Sequence, residues 1–446
     1  MYFKSFLIKH FLQTKNGGIN IFLKKLMSLF YLILQLPIYL ISIPIFILIT
    51  LIKPWYLIRW KILYSNRIGH FALETELYCC ERDANINFPK QKYKDFFYLD
   101  KYVSNKTLKN MWQQNIVMLP SILIKPINNI AVFFYFITRL NNAHEIKSPS
   151  CSDRDIYNLQ DKFNPHINLT SKHETKGKEI LEKFGLPKNA KFICLMVRDS
   201  GYLNRHENQL DLDRWGYHSY RDGDIDKYVL AAEELASRGY YVFRMGINVL
   251  KPLKSSNPKI IDYANSGMRS DFMDIYLGAK CFFLITTGCG FDAIPSIFKR
   301  PIALIHVPLG LSQFTSSDKC LLLTKHHINK LSKKELTISE IFSSNVGIAT
   351  DTTTFKNNNV ELLENSPEEI RDFVIEMEQR LNGSWKETDQ EISLQKNFWS
   401  VFEKNMSNLD PNQKFFKSKD NTFKLHGKIK AKFSAKYLRD NKNFIN

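Results

Sequence analysis

Hydrophobic and polar positions follow two different rhythms along this chain of 446 residues. Near the amino end, residues 26–52 carry no charged side chain, with Lys24 and Lys25 before them and Lys53 after. A bilayer-crossing helix needs about 20 apolar residues. A secretory leader has a shorter apolar region, about 7–15 residues, and a small-residue cleavage site. The run therefore predicts a membrane anchor over residues 1–56. Pro37 and Pro44 lie inside it, and each removes a helix donor, so a kinked span and a re-entrant hairpin both stay open.

The second rhythm starts near residue 187. Residues 191–197 (KFICLMV), 240–245 (YYVFRM), 259–263 (KIIDY), 281–286 (CFFLIT) and 301–307 (PIALIHV) predict buried strands. Residues 224–238, 271–280 and 291–299 have helical spacing. Strands separated by such helices build βαβ units and a parallel sheet. Earlier, residues 57–64 predict a strand and a helix follows from Phe71, with further apolar segments over 112–140. The expected fold class is α/β: two Rossmann-like domains, 57–170 and 171–345, behind the membrane segment. Residues 141–165 are polar and predict a linker. In the helical segment 346–410, Ser366 and Glu369 form a capping-box pattern and Gly383 supplies a stop, so a helix is expected over 366–381. Residues 411–446 predict a basic tail, disordered or lying on a surface.

Composition and charge narrow the partners. Hydrophobic residues make up 44% and charged residues 24%, an ordinary globular balance that excludes wholesale disorder and a collagen-like repeat. The net charge is +18. Residues 1–73 hold nine Lys/Arg and no acid, and residues 411–446 hold ten Lys/Arg and two acids, so the body between is close to neutral. Nucleic-acid binders usually carry the basic stripe on the folded domain. Basic flanks around an apolar run suit an anionic membrane surface instead, so a membrane is an expected partner and nucleic acid is not. Seven cysteines, with no CxxC pair, give no disulfide or zinc framework. The body reads as cytosolic, against the inner face of a membrane.

Candidate chemistry gathers at the strand ends, where open α/β sheets bind ligands. Thr286-Thr287-Gly288-Cys289-Gly290-Phe291-Asp292 joins a strand to a helix. Its glycines admit a ligand close to the backbone, and its hydroxyls and helix start offer donors to a diphosphate. A ligand-free tight turn and a methyltransferase loop are the competing readings. Arg198 and Asp199 follow one strand; Arg244 ends the next, with Gly246 behind it. Two arginines suit a doubly charged anion, or they tie loops together as ion pairs. His218, Tyr220 and Arg221 cluster in a polar loop, with His218 either a general base or a loop residue. Asp262 and Arg269 end the next unit. His70 follows the first strand of the body, and Glu74 lies one helical turn on, a pairing suited to deprotonating a hydroxyl or simply to capping.

Several blocks resemble a bacterial family of glycosyltransferases from surface-polysaccharide loci. They are SNRIGHFALETEL (65–77), VRDSGYL (197–203), YHSYRDGDI (217–225), RGYYVFRMG (238–246), IDYA (261–264), RSDFMDIYLGA (269–279) and TTGCGFDAIP (286–295). The resemblance spans roughly residues 60–310. It implies a GT-B architecture, distantly similar to heptosyltransferases, with the active site between two domains. The Arg-Ile-Gly-His stretch is similar to an Arg-Ile-Gly-Asp start in heptosyltransferases, where the acid is the base; here His70 stands in that place. Thr287, Gly288 and Gly290 match the donor-diphosphate turn. The implied activity is transfer of a hexosyl or related sugar from a nucleotide-sugar to a lipid-linked saccharide, without a metal cofactor. The other site residues expected are His218 and Glu74 for catalysis, Arg198, Asp199, Arg244, Gly246, Thr286 and Asp292 around the donor, and Tyr202, Tyr220, Arg221, Asp262 and Arg269 elsewhere in the cleft. A triplet Asp211-Leu212-Asp213 has metal-binding spacing but lies in a long loop. The alternative is a non-catalytic, membrane-anchored glycan-binding or assembly subunit. The expected location is the bacterial inner membrane, with a cytoplasmic catalytic body.

Overall fold

The computed structural model describes residues 21, 23, 25–27, 36–86, 88–147, 154–201, 219–309, 317–408 and 427–445. The helices used below are α1 (Leu36–Ile52), α2 (Ile68–Asp83), α3 (Lys106–Trp112), α4 (Ser121–Thr138), α5 (Ser171–Lys183), α6 (Val229–Ser237), α7 (Asp271–Lys280), α8 (Ala293–Ile297), α9 (Pro367–Asn382) and α10 (Asp389–Ser407). The chain divides into two compact units that do not follow chain order. One gathers residues up to Leu63, Pro89–Asp100 and Ile116–Lys147; the other gathers Tyr64–Phe88, Lys101–Asn115 and everything from Ser148.

The first unit holds a two-stranded parallel sheet, β1 (Leu57–Leu63) beside β2 (Tyr93–Leu99). Helices α1 and α4 cover it through a core of Phe46, Ile49, Trp60, Tyr98, Ile124, Ile127, Ala131 and Tyr135. Trp60 Nε1 donates to Asn128 Oδ1 at 2.9 Å, which satisfies the one polar atom of that buried ring. Arg59 and Asp95 form a buried two-point pair across the strands, 2.8 and 2.7 Å. Part of the expected linker is structural: the His144 ring stacks on Trp60 at 5.2 Å, and Glu145 bridges to Trp60.

The second unit is built on a seven-stranded parallel sheet. Its strands are β3 (Phe192–Met196), β4 (Tyr241–Arg244), β5 (Ile260–Ile261), β6 (Leu284–Thr286), β7 (Ile302–Val307), β8 (Leu321–Thr324) and β11 (Lys432–Phe433), in the spatial order β11-β8-β7-β6-β3-β4-β5. A separate antiparallel pair joins β9 (His326–Asn329) to β10 (Val360–Leu363). The chain winds outward from β3 through β4 to β5, returns to place β6 on the other side of β3, and continues through β7 and β8. This is the doubly wound order, with its reversal between β3 and β6. Runs such as FICLM and LLLT are apolar throughout because helices bury both faces of the sheet.

The α/β pattern read from the sequence is present, at most positions within a few residues. Helix α7 spans Asp271–Lys280, capped by Ser270 Oγ accepting from Met273 N–H. Helix α9 carries the capping box of Ser366 and Glu369 and ends on left-handed Gly383, φ 75°. The carboxyl end corrects an expectation. Residues 427–445 are not a loose tail: β11 adds a seventh strand beside β8, and Phe433 packs on Phe398 with ring centroids 4.3 Å apart. Lysines at 428, 430 and 432 alternate with Ile429, Ala431 and Phe433. That is a half-buried edge strand, masked in the sequence by its net charge.

Candidate functional site

The reversal between β3 and β6 opens the sheet at the carboxyl ends of those strands, where ligands of such folds bind. Arg198 leaves β3 and Thr287 leaves β6. The Arg198 backbone N–H donates to Thr287 Oγ1 at 2.8 Å, and the Thr287 N–H donates to the Met196 carbonyl at 3.2 Å. The Arg198 guanidinium pairs with Asp222. Gly223 N–H donates to the Arg198 carbonyl at 2.9 Å, and Lys325 Nζ donates to the Asp222 carbonyl at 2.6 Å. The charge at this strand end is thus set by Arg198, Asp222 and a buried Lys325, whose amine burial pushes below its ordinary range.

The turn after β6 is locked from inside. Thr286 Oγ1 donates to Asp292 Oδ1 at 2.6 Å, Gly288 N–H donates to Thr286 Oγ1 at 3.1 Å, and Cys289 N–H donates to Asp292 Oδ2 at 2.8 Å. Thr286 and Asp292 are fully buried, so they shape the turn and do not face outward. Burial pushes the Asp292 carboxyl up to about 6, against the hydrogen bonds from Thr286 and Cys289. Gly288 has φ 81°, a left-handed conformation that favours glycine. Gly290, at the tip, is exposed.

Against that tip lies the start of α2. A Cβ on Gly69 would sit 2.8 Å from the Gly290 Cα, so this backbone-on-backbone approach needs glycine. The next residue is His70, one-third exposed, with Nδ1 2.6 Å from Glu74 Oε1. His70, Glu74 and the turn at 286–292 therefore share the second unit. Glu74 is nearly buried at 7% side-chain exposure. Its carboxylate holds the imidazole through Nδ1 and so fixes the orientation of the ring.

Arg244 is placed differently from Arg198. Its side chain is wholly buried, 3.8 Å from Asp199 and 3.7 Å from Asp262, and Nη2 donates to the Lys251 carbonyl at 3.2 Å. Asp199 also accepts from Gly201 N–H and Leu250 N–H at 2.8 and 2.9 Å, and Asp262 accepts from Leu253 N–H at 3.0 Å. The cluster pins the loops after β3, β4 and β5 together. Gly246, φ 151°, sits in the same loop with Val249 packed on it. Arg269 bonds Asp274 at 2.5 Å at the start of α7, where Asp274 also accepts from Tyr263 Oη at 3.0 Å. Tyr220 is buried against Phe355, and the Arg221 guanidinium lies over the Tyr220 ring at 5.5 Å. Among the described residues, Arg221 Nε is buried without a hydrogen-bond partner. Tyr202, the Asp211-Leu212-Asp213 triplet and His218 lie outside the described residues.

Sequence reasoning passed over Asp222, Lys325 and His306. His306 is wholly buried in β7 with φ 64°. Its Nε2 accepts from Asn365 N–H at 3.0 Å, so the neutral ring donates from Nδ1 to Tyr228 Oη at 2.9 Å. Burial holds this imidazole well below its usual range. The signal was available: His306 and Lys325 stand at the ends of two further sheet strands, positions where a polar residue in an apolar run is conspicuous.

Among the described residues, Glu76, Cys80 and His166 bring one ligand atom each within 4.8 Å of one another. Their chemistry fits an ion pair better than a metal. His166 Nδ1 is 3.0 Å from Glu76 and Nε2 is 3.1 Å from Asp83, and burial keeps the Cys80 thiol protonated far above its usual range.

No protein-family model and no curated protein matches the chain. Solved structures with weak similarity to it include the following two. A glycosyl transferase family 9 protein from Veillonella parvula is 12% identical, with a TM-score of 0.38 over 58% of this chain and 83% of that one. The ADP-heptose lipopolysaccharide heptosyltransferase II of E. coli is 10% identical, with a TM-score of 0.40 over 73% of this chain and all of that one.

Proposed function

We propose that this chain is a glycosyltransferase of GT-B-like organisation. It moves a sugar from a nucleotide-activated donor to a saccharide acceptor, lipid-linked and presented at the cytoplasmic face of a bacterial inner membrane, in surface-polysaccharide synthesis. One observation carries the reading. A candidate base, His70 on Glu74, starts the helix whose backbone touches the turn at the reversal of a doubly wound sheet. The sequence blocks that resemble glycosyltransferases of polysaccharide loci include both halves of that contact, 65–77 and 286–295.

In this mechanism the donor diphosphate lies over Thr287–Gly290, with Arg198 and Arg221 supplying positive charge. His70 Nε2 takes the proton from the acceptor hydroxyl as its oxygen bonds to the anomeric carbon. The bond from that carbon to the diphosphate breaks, and the leaving oxygen's charge is met by the guanidinium groups rather than by a metal. Thr286 and Asp292 hold the turn in shape. Arg244, Asp199 and Asp262 hold the neighbouring loops. Replacing His70 by Ala should cost about 10²–10⁴ in kcat, the span of one general base.

The test is thermal stabilisation of the full chain in detergent by UDP, GDP, CMP, ADP and dTDP, each with and without magnesium. A nucleotide at about 100 times its Kd stabilises by about 2.7 kcal/mol. One nucleotide standing out without magnesium is the expected result and names the donor class. Silence from all five would sink the donor assignment.

A further inference from the structure

The outward faces of α1 and α4 are apolar in a way that a water-exposed surface is not. In α1, Ser42, Phe46 and Ile49 turn inward and the large residues between them are exposed. In α4, Ile124, Ile127, Ala131 and Tyr135 pack inward, and Phe133 (65%), Phe136 (81%) and Ile137 (61%) point out. The two helices touch: Phe46 meets the rings of Phe134 at 5.6 Å and Tyr135 at 6.4 Å, and Asn129 Nδ2 donates to Tyr39 Oη at 2.7 Å. Their exposed faces belong to one unit and so extend one another.

Charge says what covers this face. Neither helix carries an acid. Lys53 follows α1, Lys125 lies in the second turn of α4, and Arg139 follows it. The whole unit counts 14 Lys/Arg against three acids. A second copy would press one cationic rim on another. An anionic lipid surface gains about 1 kcal/mol for each nearby cation. Trp55 (75% exposed) and Tyr56 stand beside Lys53, where amphipathic rings favour the headgroup level.

Topology says how the face meets the lipid. Three residues before α4, Met118 bridges to Phe97 of β2; seven residues after it, Glu145 bridges to Trp60 of β1. Mid-helix, Asn128 accepts from Trp60. Both ends of α4 return to one small sheet, so α4 lies along the sheet.

We infer that the outward apolar faces of α1 and α4 together form a platform seated in an anionic membrane, with α4 lying in its plane as the second half. The expectation of an anchor confined to residues 1–56 reaches only α1. The inference does not rest on the glycosyltransferase reading, because its readout is lipid binding.

The experiment is flotation of the full chain with vesicles of phosphatidylcholine, or of phosphatidylcholine with one-third phosphatidylglycerol, at 0.1 and 0.5 M salt. The variant F133E/F136E/I137E should lose at least tenfold in partitioning to both vesicles. K125E/R139E should lose several-fold on the anionic vesicles alone, and most of that difference should vanish at high salt. L331E, on an exposed position of the second unit, should match the parent. The three α4 side chains are largely exposed, so the melting temperature should hold; if it falls, F136E alone gives the same reading at smaller size. Undiminished flotation of folded F133E/F136E/I137E and F136E, or a parent chain that ignores both vesicles and instead self-associates through this face, overturns the proposal.

Discussion

Arg198 and Thr287 hold the sheet together at its point of reversal. The backbone N–H of Arg198 donates to Thr287 Oγ1 at 2.8 Å, and Thr287 returns its own N–H to Met196. β3 and β6 pair in parallel through Met196 and Thr286, and beyond those residues their loops wind in opposite directions. The threonine hydroxyl ties the two loops together one residue past the paired strands.

Thr287→Val should therefore act on both stability and ligand. It keeps the shape but leaves the Arg198 N–H unpaired inside the protein, which costs about 1–3 kcal/mol. Thr287→Ser should restore most of it. Chemical denaturation of the three proteins checks the first effect, and nucleotide affinity checks the second. Equal stability of the Val and Ser variants would count against the bond.

The contact of Gly69 with Gly290 leaves no room for a methyl group. Gly69→Ala puts a Cβ 2.8 Å from the Gly290 Cα, and the atom it meets is backbone, which must shift. Overpacking of this kind costs about 1–3 kcal/mol. His70 would move with the helix start, so kcat should fall further than stability alone explains. Gly185→Ala offers a contrast: its Cβ would meet nothing within 4 Å, though φ 82° still strains it.

Arg244 separates a structural from a donor-binding role. Arg244→Met leaves Asp199 and Asp262 facing each other without their cation. Breaking a buried pair costs about 3 kcal/mol. The expected outcome is a clear fall in melting temperature with nucleotide affinity, measured well below it, changed less than threefold. A large affinity loss in a stable variant would return Arg244 to the donor site.

His326 makes stability depend on pH. It lies 2.8 Å from Glu335 and 3.2 Å from Glu369. Although burial opposes it, these carboxylates raise the imidazole to about 9. A folded value above the unfolded one, about 6.5, adds stability that is complete below pH 6.5 and lost as pH rises toward 9. The loss should reach about 2–3 kcal/mol. His166, raised by Glu76 and Asp83, adds a smaller slope of the same sign. Unfolding free energies at pH 6, 7.5 and 9 for the parent and His326→Gln isolate the first contribution, and the variant's profile should be flatter.

Much of the second unit was legible in local sequence because its signals are local. Apolar runs of strand length, the Ser366–Glu369 box and the Gly383 stop each act within a few residues, and the structure carries all three. The turn at 286–292 was legible too, through its glycines. The roles of the arginines were not. Arg198 and Arg244 end adjacent strands with the same residue type, yet one sits beside the reversal and the other is enclosed by two aspartates from other loops. Burial and partner depend on strand order, which no window of sequence contains. The same holds for β11, whose lysines disguise an edge strand, and for α2, which follows β1 in the chain yet packs on α8 and the turn before it. By itself the sequence determined which segments bury and where the chain turns, since those follow from side-chain chemistry and spacing. Only the tertiary structure decided which strand ends become neighbours and which helix faces stay uncovered, because these depend on contacts between residues hundreds of positions apart.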